Sequence, residues 1–244
     1  MSPTNYNELI DFISNSNRLK TIKEKVKLES TKSSQKDSSH DYFHLLRVAL
    51  MSLRFSETSQ SKTPVKLDLE VLIAAALMHD VINVPKNSPD RKKASTLCAA
   101  WAKPLLEELE FSKEQVKLIC EAIEDHSFSR GATPRSFLGE CLQDADRLES
   151  IGAIGLMRVF ATGSLLQSDF FNPEDPWATN RELNDLKFMI DHFFNKLLKI
   201  PKLMNTEGGK AEAKIRADRM IRFLKDLGKE INHPLPKDKE IYEI

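Results

Sequence analysis

Histidine and aspartate side chains in three separate segments of this chain have the chemistry to bind one metal ion together. His79 and Asp80 are adjacent and follow the apolar run 71–78, while His44 precedes them and Asp146 follows them. Imidazole nitrogens and carboxylate oxygens without a thiolate suit Mn, Fe, Co, Ni or Zn, and suit Mg less well because of the histidines. The sequence therefore predicts a four-ligand site for one divalent ion.

Such a site has a defined reactivity. Four protein ligands leave two positions open on an ion that accepts six, one for water and one for a substrate oxygen. The metal lowers the pKa of that water, so that hydroxide is available near neutral pH. Phosphate is a natural substrate group because a cation neutralises the charge that builds on its oxygens toward the transition state.

Basic residues follow the His-Asp pair closely and are candidates for binding further phosphates: Lys86, Arg91, Lys92 and Lys93. Lys86 and Arg91 are the predicted substrate-binding residues because a cation near the metal would meet the added phosphates. The alternative is that these side chains simply face solvent, on a loop and on the surface of a helix.

The composition limits the class of protein. A chain of 244 residues can bury one sizeable core, and its 36 basic and 36 acidic residues give no net charge that would favour nucleic acid or an anionic membrane. Cys98, Cys120 and Cys141 form no C-x-x-C pair, which fits a reducing cytoplasm. The N-terminus lacks the order of a secretory signal, and no apolar run is long enough to span a bilayer. We expect a soluble, cytoplasmic protein.

Apolar residues recur at helical spacing along nearly the whole chain, and no segment alternates long enough to predict a sheet. The predicted helices are a polar first helix with an apolar stripe at Ile10, Ile13, Leu19, Ile22 and Val26, a second from His40, a central buried helix from Val65 to His79, one opened by Ser88-Pro89, one with a capping box at Ser112 and Gln115, one opened by Thr133-Pro134, and others over 151–160, 183–198 and 210–229. Residues 162–180 are the longest irregular segment and a candidate cover for a pocket.

The predicted fold class is therefore all-α, a single helical-bundle domain over residues 40–231. An N-terminal helix and polar loop over 1–39 precede it, and a polar tail over 232–244 follows it.

Several motifs, in their order, resemble the HD superfamily of metal-dependent phosphohydrolases, and more closely the small bacterial YedJ/YpgQ-type hydrolases. They are HDYFHLLRV at 40–48, MHDVINVPK at 78–86, HSFS at 126–129, DADRL at 144–148 and DHFFNKLL at 191–198. The resemblance covers about residues 40–230. It implies a single divalent metal held by His44, His79, Asp80 and Asp146. It also implies hydrolysis of a phosphate ester or anhydride, with a nucleotide as the expected substrate.

The group that transfers the proton is left open by the sequence. Some HD subgroups carry a glutamate three residues after the Asp of the His-Asp pair, where this chain has Asn83. The predicted catalytic residues are Asp80, His126 and Asp144, with Glu140 and Glu149 as weaker candidates for the acid or base. His126 has the alternative role of capping its helix or donating to a buried carbonyl, and His192, among core phenylalanines, is interpreted as structural.

The two carboxylates of the DADRL motif are expected to have different roles. Asp144 and Asp146 are two residues apart, about 200 degrees around a regular helix, so they do not both point at one ion. We expect Asp146 to be the ligand and Asp144 a support or a proton carrier.

Two other functions remain as alternatives. His40 and His44 are spaced like the histidines of the H-E-x-x-H zinc peptidases, although that hypothesis replaces the glutamate by Asp41 and leaves His79 and Asp146 without a role. The other alternative is a non-catalytic module that senses a nucleotide through the metal site.

Overall fold

The computed structural model describes residues 2–31, 42–58, 66–82, 84, 92–127 and 130–240. Within these ranges the regular structure is helical, and the β structure is limited to one isolated bridge between Asp169 and Phe188. The all-α prediction is therefore confirmed. No helix in the described ranges is long and apolar enough to cross a membrane. The domain boundaries predicted from the sequence stay predictions.

The chain divides into two compact units, Met1–Asp146 with Thr206–Gly208, and Arg147–Asn205 with Gly209–Ile244. The helices that lie wholly or mostly in the first unit are α1 Tyr6–Asn15, α2 Asn17–Ser30, α3 Tyr42–Thr58, α4 Leu69–Met78, α5 Ala94–Glu108, α6 Lys113–Asp125 and α7 Phe137–Leu148. The later helices are α8 Gly152–Leu165, α9 Asp191–Asn195 and α10 Glu207–Glu230, with short 3-10 turns at Leu197–Lys199, Pro201–Leu203 and Lys237–Glu240.

Helix α4 is the centre of the first unit. All residues from Val71 to Met78 are buried, and a helix that is apolar all round must be enclosed by other elements. It packs against α2, α3, α5 and α6. The Asp68 carboxylate caps its N-terminus by accepting hydrogen bonds from the backbone N–H groups of Glu70 and Val71. The predicted central buried helix is confirmed, although it begins at Leu69 and not at Val65 because Asp68 caps it. Its last buried turn leads directly into the His-Asp pair.

The predicted first helix is in fact two helices. Ser16 is extended between α1 and α2, and its Oγ accepts a hydrogen bond from the Leu19 N–H to cap α2. On α1 the buried residues are Leu9 and Ile13, whereas Ile10 is 36% exposed. The apolar stripe continues past the break, which is why its spacing alone predicts one helix.

The ends of α5, α6 and α7 test the capping predictions. The capping box of Ser112 and Gln115 at the start of α6 is confirmed. Helix α7 begins at Phe137 and not at Thr133-Pro134, because the backbone and side chain of Arg135 bond to the Asp125 carboxylate and hold this stretch out of the helix. Ser88 and Pro89 lie outside the described residues, and α5 begins at Ala94.

In the second unit, the helix predicted over 183–198 is wrong. The buried Asp191 carboxylate accepts hydrogen bonds from the Arg181 guanidinium and the Asn184 N–H, which fixes a non-helical path before α9. Helix α8 extends to Leu165, so the irregular stretch runs over 166–190 and not over 162–180. Gly155 allows close packing as predicted, since a Cβ there would lie 2.3 Å from the Ser150 carbonyl oxygen.

Removing the Ser112 hydroxyl tests the cap of the helix that ends at His126. Ser112→Ala should lower the free energy of unfolding by about 1 kcal/mol, because the Gln115 N–H loses its acceptor. Denaturant titration followed by circular dichroism measures the loss. The matched control is Ser30→Ala, whose exposed hydroxyl only donates to the Lys27 carbonyl. An equal loss in both variants would contradict the role of the capping box.

Candidate functional site

Three helices bring the predicted ligands together in the first unit. His44 lies on α3, His79 is the C-terminal cap of α4 with Asp80 directly after it, and Asp146 lies on α7. A further imidazole, that of His126, caps the C-terminus of α6. The sequence segments that supply these groups are far apart in the chain, and packing around α4 makes them neighbours.

The potential ligand atoms lie within a few ångströms of one another. Nε2 of His44 is 3.5 Å from Oδ1 of Asp146 and 4.0 Å from Oδ2 of Asp80. Nε2 of His79 is 3.7 Å from Oδ1 of Asp146, and Nε2 of His126 is 3.8 Å from Oδ1 of Asp80. Two overlapping groups therefore have metal-binding geometry, His44 with His79 and Asp146, and His79 with Asp80 and His126.

Backbone carbonyls orient two of the imidazole rings. Nδ1 of His79 lies 2.8 Å from the Ala76 carbonyl oxygen, and Nδ1 of His126 lies 2.6 Å from that of Ile123. A carbonyl oxygen only accepts, so each Nδ1 carries the proton and each neutral ring presents a lone pair at Nε2. This second bond is the one that metal-ligating histidines characteristically make.

The donor set fits a divalent metal. Nε2 of His79 is fully buried and forms no hydrogen bond within the described part of the chain. A buried ring nitrogen that lacks a hydrogen bond is costly, and a cation held between Nε2 and the carboxylates would satisfy its lone pair. His44 and His79 are 0% exposed, whereas the side chains of Asp80 and Asp146 are 20% and 22% exposed.

Electrostatic coupling between the rings and the carboxylates shifts their pKa values. Burial by itself would lower the pKa of His79, but Asp146 and Asp80 outweigh it and the pKa is raised. Burial would likewise raise the pKa of Asp146, but the neighbouring His79 outweighs it and the pKa is lowered well below its usual range. The site thus favours a positive charge between its carboxylates. Because a proton and a metal compete for Nε2, metal affinity falls as the pH falls.

The two aspartates of the DADRL motif point at different partners. Asp146 meets the histidines, whereas Oδ2 of the fully buried Asp144 accepts hydrogen bonds from the N–H and Oγ1 of Thr206, at 2.7 and 2.8 Å. Sequence reasoning did not identify Thr206, which lies 62 residues away and has no pattern that marks it. The roles of Asp144 as support and of Asp146 as ligand stay predictions.

The other predicted residues are placed as follows. His192 is paired with Asp185, with Nδ1 2.8 Å from Oδ2, in the second unit. Glu149 is buried and Glu140 is half-buried. Lys92 and Lys93 are exposed. The remaining candidates lie outside the described residues: His40, Asp41, Asn83, Lys86 and Arg91.

Comparison with known proteins shows the family. The family model of the HD domain matches residues 41–151, the span that contains the five clustered residues. The protein YpgQ of Bacillus subtilis (strain 168) is 31% identical over 201 residues, which is 80% of this chain and 85% of YpgQ. The chain belongs to the HD-domain family. This confirms the resemblance stated from the motifs.

Solved structures give the same answer for the fold. An HD-superfamily hydrolase from Bacillus thuringiensis is 29% identical, with a TM-score of 0.63 over 88% of this chain and 99% of the other. The crystal structure of B. subtilis YpgQ in complex with ADP has a TM-score of 0.64 at 24% identity, over 87% of this chain and 97% of the other. This HD-domain chain therefore has the fold of HD-superfamily hydrolases.

The first prediction from the site concerns the His-Asp pair. His79→Ala and Asp80→Ala should each lose the bound metal, which we expect at one ion per chain, because a proposed ligand atom disappears while the apolar core of α4 stays. Elemental analysis of purified protein measures the metal, and circular dichroism checks that the helical content is kept. His192→Ala is the matched control and should keep its metal. Full metal occupancy in either variant of the pair would remove it from the site.

A second prediction separates the two carboxylates of α7. Asp146→Asn should lose the metal, because an amide oxygen lacks the charge that faces His44 and His79. Asp144→Asn should keep the metal, because its carboxylate faces Thr206. Metal titration of the two variants side by side compares the affinities. The reverse pattern would exchange the roles of the two residues.

Proposed function

We propose that the protein is a metal-dependent phosphohydrolase that cleaves a phosphate ester or anhydride of a small phosphorylated substrate, with a nucleotide as the expected class. The observation that carries this proposal is the convergence of Nε2 of His44 and His79 with the carboxylates of Asp80 and Asp146 in a chain of the HD family. Two histidines and two carboxylates without a thiolate are a donor set for a hydrolytic metal.

His44, His79, Asp80 and Asp146 would hold one divalent ion, with Mn, Fe, Co, Ni or Zn as the candidates. When bound, such an ion acidifies a water molecule and neutralises charge on a phosphoryl group. The histidines are buried and the carboxylates are one-fifth exposed, so the protein closes the site on the imidazole side and leaves the carboxylate side to the substrate.

Asp80 connects the ligand cluster to the proposed proton-transfer group. Its Oδ2 faces Nε2 of His44 at 4.0 Å, and its Oδ1 faces Nε2 of His126 at 3.8 Å. Because Nδ1 of His126 is committed to the Ile123 carbonyl, the nitrogen that exchanges a proton is Nε2, on the side of Asp80. We assign His126 as the acid or base and Asp144 as a support for the Thr206 turn.

A nucleotide substrate is supported by the solved complex of YpgQ with ADP, a protein to which this chain is similar. Lys86 and Arg91 are the proposed phosphate-binding residues, because they follow the His-Asp pair by a few residues. The peptidase alternative gives no role to His79, Asp80 and Asp146, which the fold brings to the same place as His44.

A metal-by-substrate screen tests the proposal. Metal-stripped protein is reloaded with Mn, Co, Ni, Zn or Mg and given nucleoside mono-, di- and triphosphates and a generic phosphate ester. Phosphate and pyrophosphate release should appear with at least one transition metal and fall at least about a hundredfold in Asp146→Asn. His192→Ala, outside the cluster, should retain the activity. If the protein binds metal but releases neither phosphate nor pyrophosphate from any of these compounds, the proposal is contradicted and a sensing module is favoured.

A further inference from the structure

Gln143 is a buried amide on α7, three residues before Asp146, and it is 0% exposed. A side-chain amide in the interior is costly unless its polar atoms are bonded, so its partners show why it is there. Neither the ligand cluster nor the proposed proton transfer uses this side chain directly.

The Gln143 amide bonds to the backbone at two points, Asp125 and Ala132, which lie before and after the connection that follows α6. Its Nε2 donates to the Asp125 carbonyl oxygen at 2.7 Å and to the Ala132 carbonyl oxygen at 2.9 Å, so both of its hydrogens are used. Asp125 is the last residue of α6, and the last carbonyls of a helix have no backbone N–H of that helix to bond them. The peptide that Gln143 holds at this end is the one that joins Asp125 to His126.

Three hydrogen bonds thereby fix His126. Its own N–H donates to the Ala122 carbonyl at 3.1 Å, its Nδ1 donates to the Ile123 carbonyl, and the peptide carbonyl before it accepts from Gln143. The first two bonds stay within α6 and fix the ring relative to its own helix. Only the third ties it to α7, the helix that also carries Asp146.

We infer that Gln143 is a positioning residue that holds Nε2 of His126 against Asp80 by tying the end of α6 to α7. The spacing of Gln143 and Asp146 on one helical turn then sets the distance between the proton-transfer group and the metal ligands. The inference rests on the proposed function only in taking His126 as the group that transfers a proton.

The chemistry of the contact suits glutamine. Two carbonyl oxygens need two donors from one neutral group, which the carboxamide supplies. A glutamate has the same shape, but its carboxylate oxygens would face the two carbonyl oxygens with no hydrogen to donate. A methionine would fill the volume without donating a hydrogen bond. The Asp125 carboxylate is bonded separately to Arg135, so the loop keeps a second anchor when the amide is removed.

The test compares Gln143→Met and Gln143→Glu with Ser52→Ala. Ser52 is also buried, and its Oγ donates to the Cys141 carbonyl of α7 at 3.4 Å, so it controls for a general loss of stability on the same helix. Long-range ¹H–¹⁵N spectra of the His126 imidazole in metal-free protein report the position of the ring. Metal affinity and separate kcat and KM values are measured on reloaded protein.

Both Gln143 variants should shift or broaden the His126 ring signals and lower kcat about tenfold to a hundredfold, with KM changed little. The metal should stay bound because its four proposed ligands are unchanged, and Gln143→Glu should be at least as impaired as Gln143→Met. Ser52→Ala should lose stability while its His126 signals and kcat stay those of the wild type.

Wild-type His126 signals and kcat in a folded Gln143→Met protein would overturn the inference. If the wild type hydrolyses none of the substrates, the proposed function fails, yet the ring signals of His126 still decide the role of Gln143. Where Gln143→Met does not fold, Gln143→Asn replaces it, since the shorter amide cannot reach both carbonyls. Unchanged His126 signals in that variant would equally overturn the inference.

Discussion

The structure of the site depends on two histidines that cap helices with their own side chains. His79 ends α4 and His126 ends α6, and each Nδ1 donates to the carbonyl three residues earlier. Those carbonyls belong to the last turns of the helices, where no backbone N–H remains to bond them. One bond therefore both satisfies a helix end and turns the Nε2 lone pair away from the helix, so the helix ends themselves build the site.

The central location of α4 places the His79 ring in the protein interior. A helix without a polar face has to lie at the centre, and its end then delivers His79 to the interior with 0% exposure. At that depth Nε2 is removed from water, and the coupling to Asp146 shifts the pKa of each partner toward its charged form. A divalent ion would accept the lone pair and balance both carboxylates at once, whereas a single proton balances only one of them.

The sequence predicted the centre of the fold better than its periphery, for physical reasons. The all-apolar run before His79 and the Ser112 capping box each determine structure locally, and both were predicted. The break at Ser16 and the path before Asp191 depend on one hydroxyl and one buried ion pair, and apolar spacing carries no information about either. The helical spacing of apolar residues over 183–198 thus predicted a helix. The hydrogen bonds that Asp191 accepts from Arg181 and Asn184 hold the backbone before α9 in a non-helical path instead.

The same distinction applies to the site. The order of His44, His79-Asp80 and Asp146 marks the residues proposed as metal ligands, and the fold brings them together. The partners that hold α7 in place are not marked, because an amide such as Gln143 or a hydroxyl such as Thr206 occurs in a sequence for many reasons. Their significance is visible only once Asp125, Ala132 and Asp144 are known to lie beside them.

The exposure of the ligands also constrains the order of binding. The solvent-facing part of the cluster consists of carboxylates, each about one-fifth exposed, while His44 and His79 are fully buried behind them. A phosphate that approached this face without an ion would meet two negative groups and be repelled. With a divalent ion held between them, the same carboxylates would serve as ligands and their charge would be neutralised. The proposed phosphate recognition would therefore depend on metal binding through the arrangement of charges, and we expect the metal to bind first.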